Sequence, residues 1–428
     1  MHKAIIDLQN RGLINQSTDI NKLSKLLDEG SGVYCGFDPT ADSLHVGSLL
    51  PLLTMKVLKS HGVNVIALIG GSTGRIGDPS FKAEERKLLS TDDIEHNLKG
   101  IKKVIRSILG NDTTIVNNYD WTKNLSVLDF LRDYGKCFTV NNMISKEAVK
   151  SRIERPDQGI SFTEFTYPIL QGMDFEHLFK TMNCKIQIGG SDQWGNMIAG
   201  TDLIHKIHGN EVDVGVITLP LLTKADGTKF GKSESGTVWL SPEKTSPFAF
   251  SQFWLNITDD EMRKFIPYFS QNSDKEYIDF VLRTSLLNPL STKRTFSSEL
   301  TEIVHGTKTA VNCVIIKRFL YGELDQDGKV IVLNETVLEM IEKSGMKIVE
   351  VQKDFNFVDL LLSTGLATSK KMAREFISTG AAKVGTRKIN EFYDVQKNEY
   401  LNDSFSLKKT PDFVLRRGKN DFVIIKLL

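Results

Sequence analysis

Cysteine is scarce: four residues, Cys35, Cys137, Cys184 and Cys313, in a chain of 428. They are widely scattered with no CxxC pair, which argues against a disulfide framework and a cysteine zinc site and leaves free thiols. Long apolar runs are missing too. Nothing approaches the roughly 18 residues of a membrane span, and the N-terminus lacks the basic start, apolar core and small-residue cleavage site of a secretory signal. A cytoplasmic protein is expected. No metal site is expected either, since His205 and His208 have a workable spacing but no third ligand beside them. Charge of one sign is nearly absent as a whole-chain property, the net being +1. Its distribution is uneven: Val351 to Leu428 carries 14 Lys and Arg against 9 Asp and Glu, which leaves the first 350 residues at −4. A basic tail on a mildly acidic body points to RNA.

The length exceeds what one core usually holds, so two or three domains are expected. The first two-thirds alternates strand and helix patterns. Strands are expected at Val33 to Phe37, Val63 to Ile69, Thr113 to Asn117, Lys185 to Ile188 and Val214 to Thr218, with helices such as Asp92 to Leu109 and Asp192 to His208 between them. Such alternation implies an α/β fold with a doubly wound, Rossmann-like parallel sheet, whose ligands bind beyond the carboxyl ends of the strands. Tyr34, Asp38, His45, Gly70 to Asp78 and Gly189 to Asp192 fall at that edge. Apolar residues at Val46, Leu49, Leu50, Leu53 and Val57 predict a helix starting near His45, with Pro51 expected to kink it.

After Trp239 the pattern turns helical, at Phe248 to Leu255, Asp259 to Phe265 and Ser298 to Tyr321. Phe357 to Leu366 and Lys370 to Ser378 read as helix, turn, helix, followed by strands at Ala382 to Val384 and Asp421 to Leu427. Three parts are expected: a catalytic domain over 1–240, an α-helical domain and linker over 241–350, and a small α+β domain over 351–428.

Two short segments carry the chemistry. His45-Val46-Gly47-Ser48 lies where a strand gives way to a helix, so free backbone N–H groups and the positive end of the helix dipole face the strand edge, which suits a phosphate. Gly47 lets a flat adenine or ribose approach the backbone. Lys229-Phe230-Gly231-Lys232-Ser233 places two cations on a glycine-containing loop, where ammonium groups stabilise charge on transferring phosphoryl oxygens. A P-loop reading of Gly227 to Ser233 fails, because three residues separate the glycines where four are needed. The glycines from Gly70 to Gly77 likewise fail the dinucleotide fingerprint.

In this order and spacing the two segments resemble the HIGH and KMSKS signatures of class I aminoacyl-tRNA synthetases, with Ser48 in place of the second His and Phe230-Gly231 in place of Met-Ser. Val33 to Thr40, Gly74 to Pro79, Tyr167 to Asp174 and Gln187 to Asn196 narrow the resemblance to the bacterial tyrosyl-tRNA synthetases. It runs from about Leu8 to the C-terminus. The resemblance implies ATP-dependent activation of tyrosine, with magnesium, followed by transfer to tRNA(Tyr), in a homodimer.

It also implies roles. His45 and Thr40 meet the charge at the phosphates, with Lys229, Lys232, Lys82 and Arg86 as further cations. Gly36, Asp38, Gly47, Ser48, Gly190, Asp192 and Gln193 surround the rest of ATP. Asp78, Tyr167 and Gln171 accept from the amino acid's ammonium group, and Tyr34 with Asp174 takes the phenol. Lys370, Lys371, Arg374, Lys383 and Arg387 face tRNA from a small RNA-binding module shared with a ribosomal protein, so deletion after Lys353 is expected to spare activation and damage transfer. Lys146, Lys150 and Arg152 form a basic stretch that is either an acceptor-stem contact or a solvated face. Other readings of single residues stay open: Tyr34 as a core aromatic, Asp174 as an N-cap, Asp78-Pro79 as a turn. A tryptophanyl synthetase and a non-catalytic RNA-binding relative are the rival functions.

Lys232→Ala is expected to slow pyrophosphate exchange about 10² to 10³-fold with little change in tyrosine affinity, as for a group acting mainly in the transition state. Equal weakening of ground-state binding would refute that role.

Overall fold

The computed structural model describes residues 1–78, 89–153, 159–223, 230–233, 236–325, 327–352, 355–385, 392–395, 412–418 and 421–428. Lys82, Arg86, Lys229 and Arg387 lie outside the described residues. The chain divides into two compact units, Met1–Lys244 with Ile257–Lys293, and Thr245–Asn256 with Arg294–Leu428. The stretch 241–350 is thus shared between them.

The first unit is built on six strands: β1 (Gln16–Ser17), β2 (Gly32–Phe37), β3 (Val65–Ile69), β4 (Thr114–Asn117), β5 (Cys184–Gly190) and β6 (Gly215–Leu219). Their order is β1-β6-β5-β2-β3-β4, all parallel except the short β1, which pairs antiparallel with β6. Strands β3 and β6 are buried along their whole length, as a parallel sheet covered on both faces requires. The winding reverses at β2, between β3 on one side and β5 on the other. The crevice of a doubly wound sheet opens there, beyond the carboxyl ends of β2 and β5. A two-residue hairpin, β7 (Lys232–Ser233) with β8 (Gly236–Thr237), follows.

Two expectations change. The helix after His45 begins as a 3-10 turn over Val46–Ser48 and becomes α-helical at Leu49–Ser60. Pro51 therefore sits in the first α-turn, where its missing N–H has no intrahelical partner to lose, so it forces no kink. The long helix Phe162–Met182 was not visible as a period, because it contains Pro168 and is buried at Tyr167, Pro168, Ile169, Gly172, Met173, Asp174 and Phe175 rather than along one stripe. Asp174 lies inside this helix and is not an N-cap; Ser161 caps it by accepting from Glu164 N–H.

In the second unit, helices Pro247–Leu255, Thr307–Leu320 and Glu335–Lys343 stand with a five-stranded sheet. The helical stretch expected over Ser298 to Tyr321 is divided at Gly306, whose φ of +86° an α-helix cannot continue through. The sheet comprises β9 (Ile348–Val351), β10 (Ala382–Gly385), β11 (Phe392–Asp394), β12 (Asp412–Arg417) and β13 (Asp421–Leu427), in the order β11-β10-β12-β13-β9. β9 runs parallel to β13, so residues 348–350 already belong to the sheet of the segment expected to start at 351.

Strand alternation sends β12 and β13 into two cores. Phe413, Leu415, Val423 and Ile425 pack with Leu360, Leu361 and Ala373 of helices Phe357–Ser363 and Lys370–Ser378. Val414, Phe422 and Ile424 point the other way, into a core with Phe248, Cys313, Ile316, Phe319 and Ile341. The C-terminal segment is therefore no detachable bead. Deletion after Lys353 removes three core side chains from the helical part, each contributing about 1.5–3 kcal/mol of burial, and strips the partner from β9. That truncation is expected to abolish the cooperative unfolding of the second unit and expose dye-binding apolar surface. A native-like transition retained by the unit would show the two cores to be independent.

Candidate active site

His45 ends the loop after β2 and caps the 3-10 turn, accepting from Gly47 N–H at Nδ1, 2.9 Å away. With Nδ1 an acceptor, the neutral ring carries its proton on Nε2. A Cβ on Gly47 would fall 2.7 Å from the imidazole, so glycine here makes room for the histidine of its own turn as well as for any ligand. Antiparallel bonding locks the segment to the far side of the hairpin: Val46 N–H donates to Val238 O at 2.9 Å and Leu240 N–H to Leu44 O at 2.8 Å. Gly231 passes beside Gly47; a Cβ on it would lie 3.7 Å from Gly47 N. Lys232 follows at once in β7, so the backbones of the two distant motifs meet.

A cavity of about 490 Å³ opens at the sheet reversal. It is lined by Tyr34, Gly36, Asp38, Thr40, His45, Gly47 and Ser48 from β2 and the turn after it. Asp78, Tyr167, Gln171, Asp174, Gly190, Asp192 and Gln193 complete its expected members. The expected RNA-facing residues lie elsewhere, in the second unit: Lys370, Lys371 and Arg374 are exposed on helix Lys370–Ser378, and Lys383 is half-buried in β10. Arg152 is not a nucleic-acid contact. It is 2 % exposed and paired at 3.0 Å with Glu164, itself fully buried.

One hydrogen-bonded string runs along the cavity. Trp121 Nε1 donates to Asp174 Oδ1 at 3.0 Å, and Asn118 Nδ2 donates to Asp174 Oδ2 at 2.9 Å and to Thr73 Oγ1 at 3.1 Å. Thr73 in turn donates to Asp38 Oδ1 at 2.7 Å, and Tyr167 Oη donates to Asp38 Oδ2 at 2.9 Å. Asp38 thus sits with Tyr167 rather than apart from it. Asp78 accepts from Gln193 Nε2 at 2.8 Å.

Burial sets the electrostatics. Asp174 is pushed up to about 7 by desolvation, against the pull of the Asn118 and Trp121 bonds and with help from Asp38. Tyr34 is raised well above its ordinary value by burial first and by Asp174 second. Tyr34 is a core aromatic too, its ring 5.3 Å from that of Phe175. Its Oη, with Gln171 Oε1 and Gln187 Oε1, is buried with no hydrogen-bond partner among the described residues, and all three residues line the cavity. Such groups ask for polar partners from a ligand.

Sequence reasoning missed Asn118 and Trp121, and gave no role to Thr73 and Gln187 although both lie in stretches it singled out. Their position was the available signal: Asn118 directly follows β4 at the carboxyl edge, and Gln187 pairs in register with Tyr34 on the neighbouring strand.

Comparison with known proteins agrees with this geometry. Residues 27–319 match the family model of class I tRNA synthetases for tryptophan and tyrosine, and residues 338–425 match the SYY-like C-terminal domain of tyrosine–tRNA ligases. The tyrosine–tRNA ligase of Dechloromonas aromatica is 44% identical over 98% of this chain and 98% of its own length. That of Staphylococcus haemolyticus is 41% identical over 99% of both. Among solved structures, a C-terminally truncated mitochondrial tyrosyl-tRNA synthetase of Aspergillus nidulans superposes with a TM-score of 0.66 and 28% identity, covering 74% of this chain and 94% of that one. Archaeoglobus fulgidus tyrosyl-tRNA synthetase complexed with L-tyrosine, at 15% identity, shares the fold with a TM-score of 0.55, over 72% of this chain and 99% of that one.

In the folded state Asp174 holds its proton up to about pH 7, whereas unfolded it releases it near 3.8. The folded state binds more protons in between, so this group's contribution to stability is lost as pH rises from about 4 to 7. Asn118→Ala, removing a bond to the carboxyl, is expected to cost about 1 kcal/mol more at pH 8, where the group is charged, than at pH 5. Urea unfolding at the two pH values measures it; equal losses would contradict the assigned protonation.

Proposed function

The chain belongs to the class I tRNA synthetases of the tryptophan and tyrosine group, and on that premise we propose that it works as a tyrosine–tRNA ligase. It joins the tyrosine carboxylate to the α-phosphate of ATP, taken as its magnesium complex, releases pyrophosphate, and passes tyrosine to the 3′ end of tRNA(Tyr) in the cytoplasm. The observation that carries the choice of tyrosine is the buried Tyr34 and Asp174 pair on one cavity, with Asp38, Tyr167, Gln171 and Asp78 as polar groups further along it. The phenol donates to Asp174 and accepts from Tyr34; the ammonium donates to the acceptors at the other end. Tryptophan has no hydroxyl to satisfy Tyr34, and an unmet buried polar pair disfavours it.

In-line attack by a carboxylate needs no enzyme nucleophile, so positioning and charge stabilisation supply the rate. His45 Nε2–H and Thr40 meet the phosphates beyond β2. Gly36, Gly47, Ser48, Gly190, Asp192 and Gln193 surround adenosine, while Lys82, Arg86, Lys229 and Lys232 contribute positive charge. The exposed basic side chains of helix Lys370–Ser378 take the tRNA.

The working form is a homodimer. Val127, Leu128 and Phe162 are 72%, 77% and 74% exposed, close in sequence to Leu125, Phe130 and Phe165, which pack on the small core of Met143, Ile169, Met173 and Leu203. Solvent-facing apolar residues in such number favour a partner surface, and a second copy is the family's partner.

The purified protein is expected to catalyse tyrosine-dependent, tryptophan-independent exchange of pyrophosphate into ATP. Its kcat/KM for tyrosine should fall as pH drops below about 7, because the protonated Asp174 accepts the phenol's hydrogen bond more weakly than the carboxylate does. Tyr34→Phe should narrow the preference for tyrosine over phenylalanine about tenfold. Exchange driven by tryptophan, or none alongside intact RNA binding, would overturn the assignment.

A further inference from the structure

His45 is held on two sides. Gly47 N–H fixes Nδ1 from within the turn, and from outside the Trp239 ring meets the imidazole edge to face, centroids 6.4 Å apart, on residues joined as an antiparallel bridge. Trp239 is itself held. The Lys244 ammonium stands 5.0 Å above its ring and 2.7 Å from Asp42 Oδ1, in the loop that leads to His45. That loop has no slack: Ser43 Oγ accepts from Ser241 N–H at 3.1 Å, and Asn97 Nδ2 donates to Pro39 O at 3.0 Å.

We infer that Trp239, backed by Lys244 and Asp42, is a positioning clasp that holds the His45 ring with Nε2–H toward the transferring phosphate. The inference rests on the proposed function and adds residues that do not line the cavity. Trp239 is only partly buried and Lys244 lies at the surface, so a purely structural role has little to explain. Its orienting power is geometric: a T-shaped neighbour restricts rotation of the ring about its hydrogen bond to Gly47. A donor that must meet charge only as it develops loses rate when its orientation spreads, while ground-state binding hardly changes.

The test is a double-mutant cycle in pyrophosphate exchange on the full chain. Trp239→Leu is expected to lower kcat about tenfold with the KM for tyrosine unchanged, Trp239→Phe to restore most of the rate, and Lys244→Met to cost about threefold. In a His45→Ala background both losses should vanish, since there is no ring left to orient. Losses that multiply with His45→Ala overturn the clasp, as does a Phe variant as slow as the Leu variant. Lys244→Met, a surface change, distinguishes these outcomes even where Trp239→Leu fails to fold. Failure of the functional reading looks different: the unaltered chain then shows no tyrosine-dependent exchange.

Discussion

A carboxyl group taken out of water governs the site. Asp174 is nearly inaccessible and is bonded by the N–H groups of Asn118 and Trp121, with no cation paired to it among the described residues. Burying such a group is unfavourable unless its oxygens are bonded. Much of the surrounding structure follows from meeting that requirement. The residue after β4 must be a buried amide, the indole must reach from the next turn, and the helix Phe162–Met182 must present its inner face to the reversal of the sheet. His177 stacks on Trp121 with centroids 4.3 Å apart and so steadies one of the two donors. A ligand hydroxyl that donates to the carboxyl recovers part of the cost of its burial.

The phosphate end obeys a different logic. Thr40 and His45 there are exposed, and backbone direction sets where they stand. A strand ending at Phe37, a turn capped by His45 and a hairpin passing over Gly47 bring together residues nearly two hundred positions apart. In the proposed mode charge comes from the lysines of the second segment, and the first contributes a turn capped by one imidazole, whose Nδ1 accepts from Gly47 N–H.

How much of this the sequence reveals depends on which interactions are local. The five parallel strands were legible to within two residues, because apolar runs between turn signals reflect burial directly. The motif residues stood out by their resemblance to known signatures, and Tyr34, Asp38, His45, Asp174 and Asp192 among them line one cavity. Helix Phe162–Met182 and strand β12 were not, since each is buried on more than one side and shows no period. Asn118 and Trp121 escaped notice for a related reason: their importance comes from Asp174, more than fifty residues away, and no local pattern encodes a bond across the fold. The break at Gly306 was in plain sight, yet a lone glycine in a helical pattern reads as tolerated until its φ is known.

The string from Trp121 through Asp174, Asn118, Thr73 and Asp38 to Tyr167 spans the cavity without a gap. Because each link is near 3 Å and none is exposed, the separation between its ends is set by side chains that cannot stretch. The protein thus carries an internal ruler. In the proposed binding mode it gauges the length of an amino acid as well as its chemistry, so a phenol mounted one methylene nearer to or farther from the ammonium group would satisfy one end of the ruler only by abandoning the other.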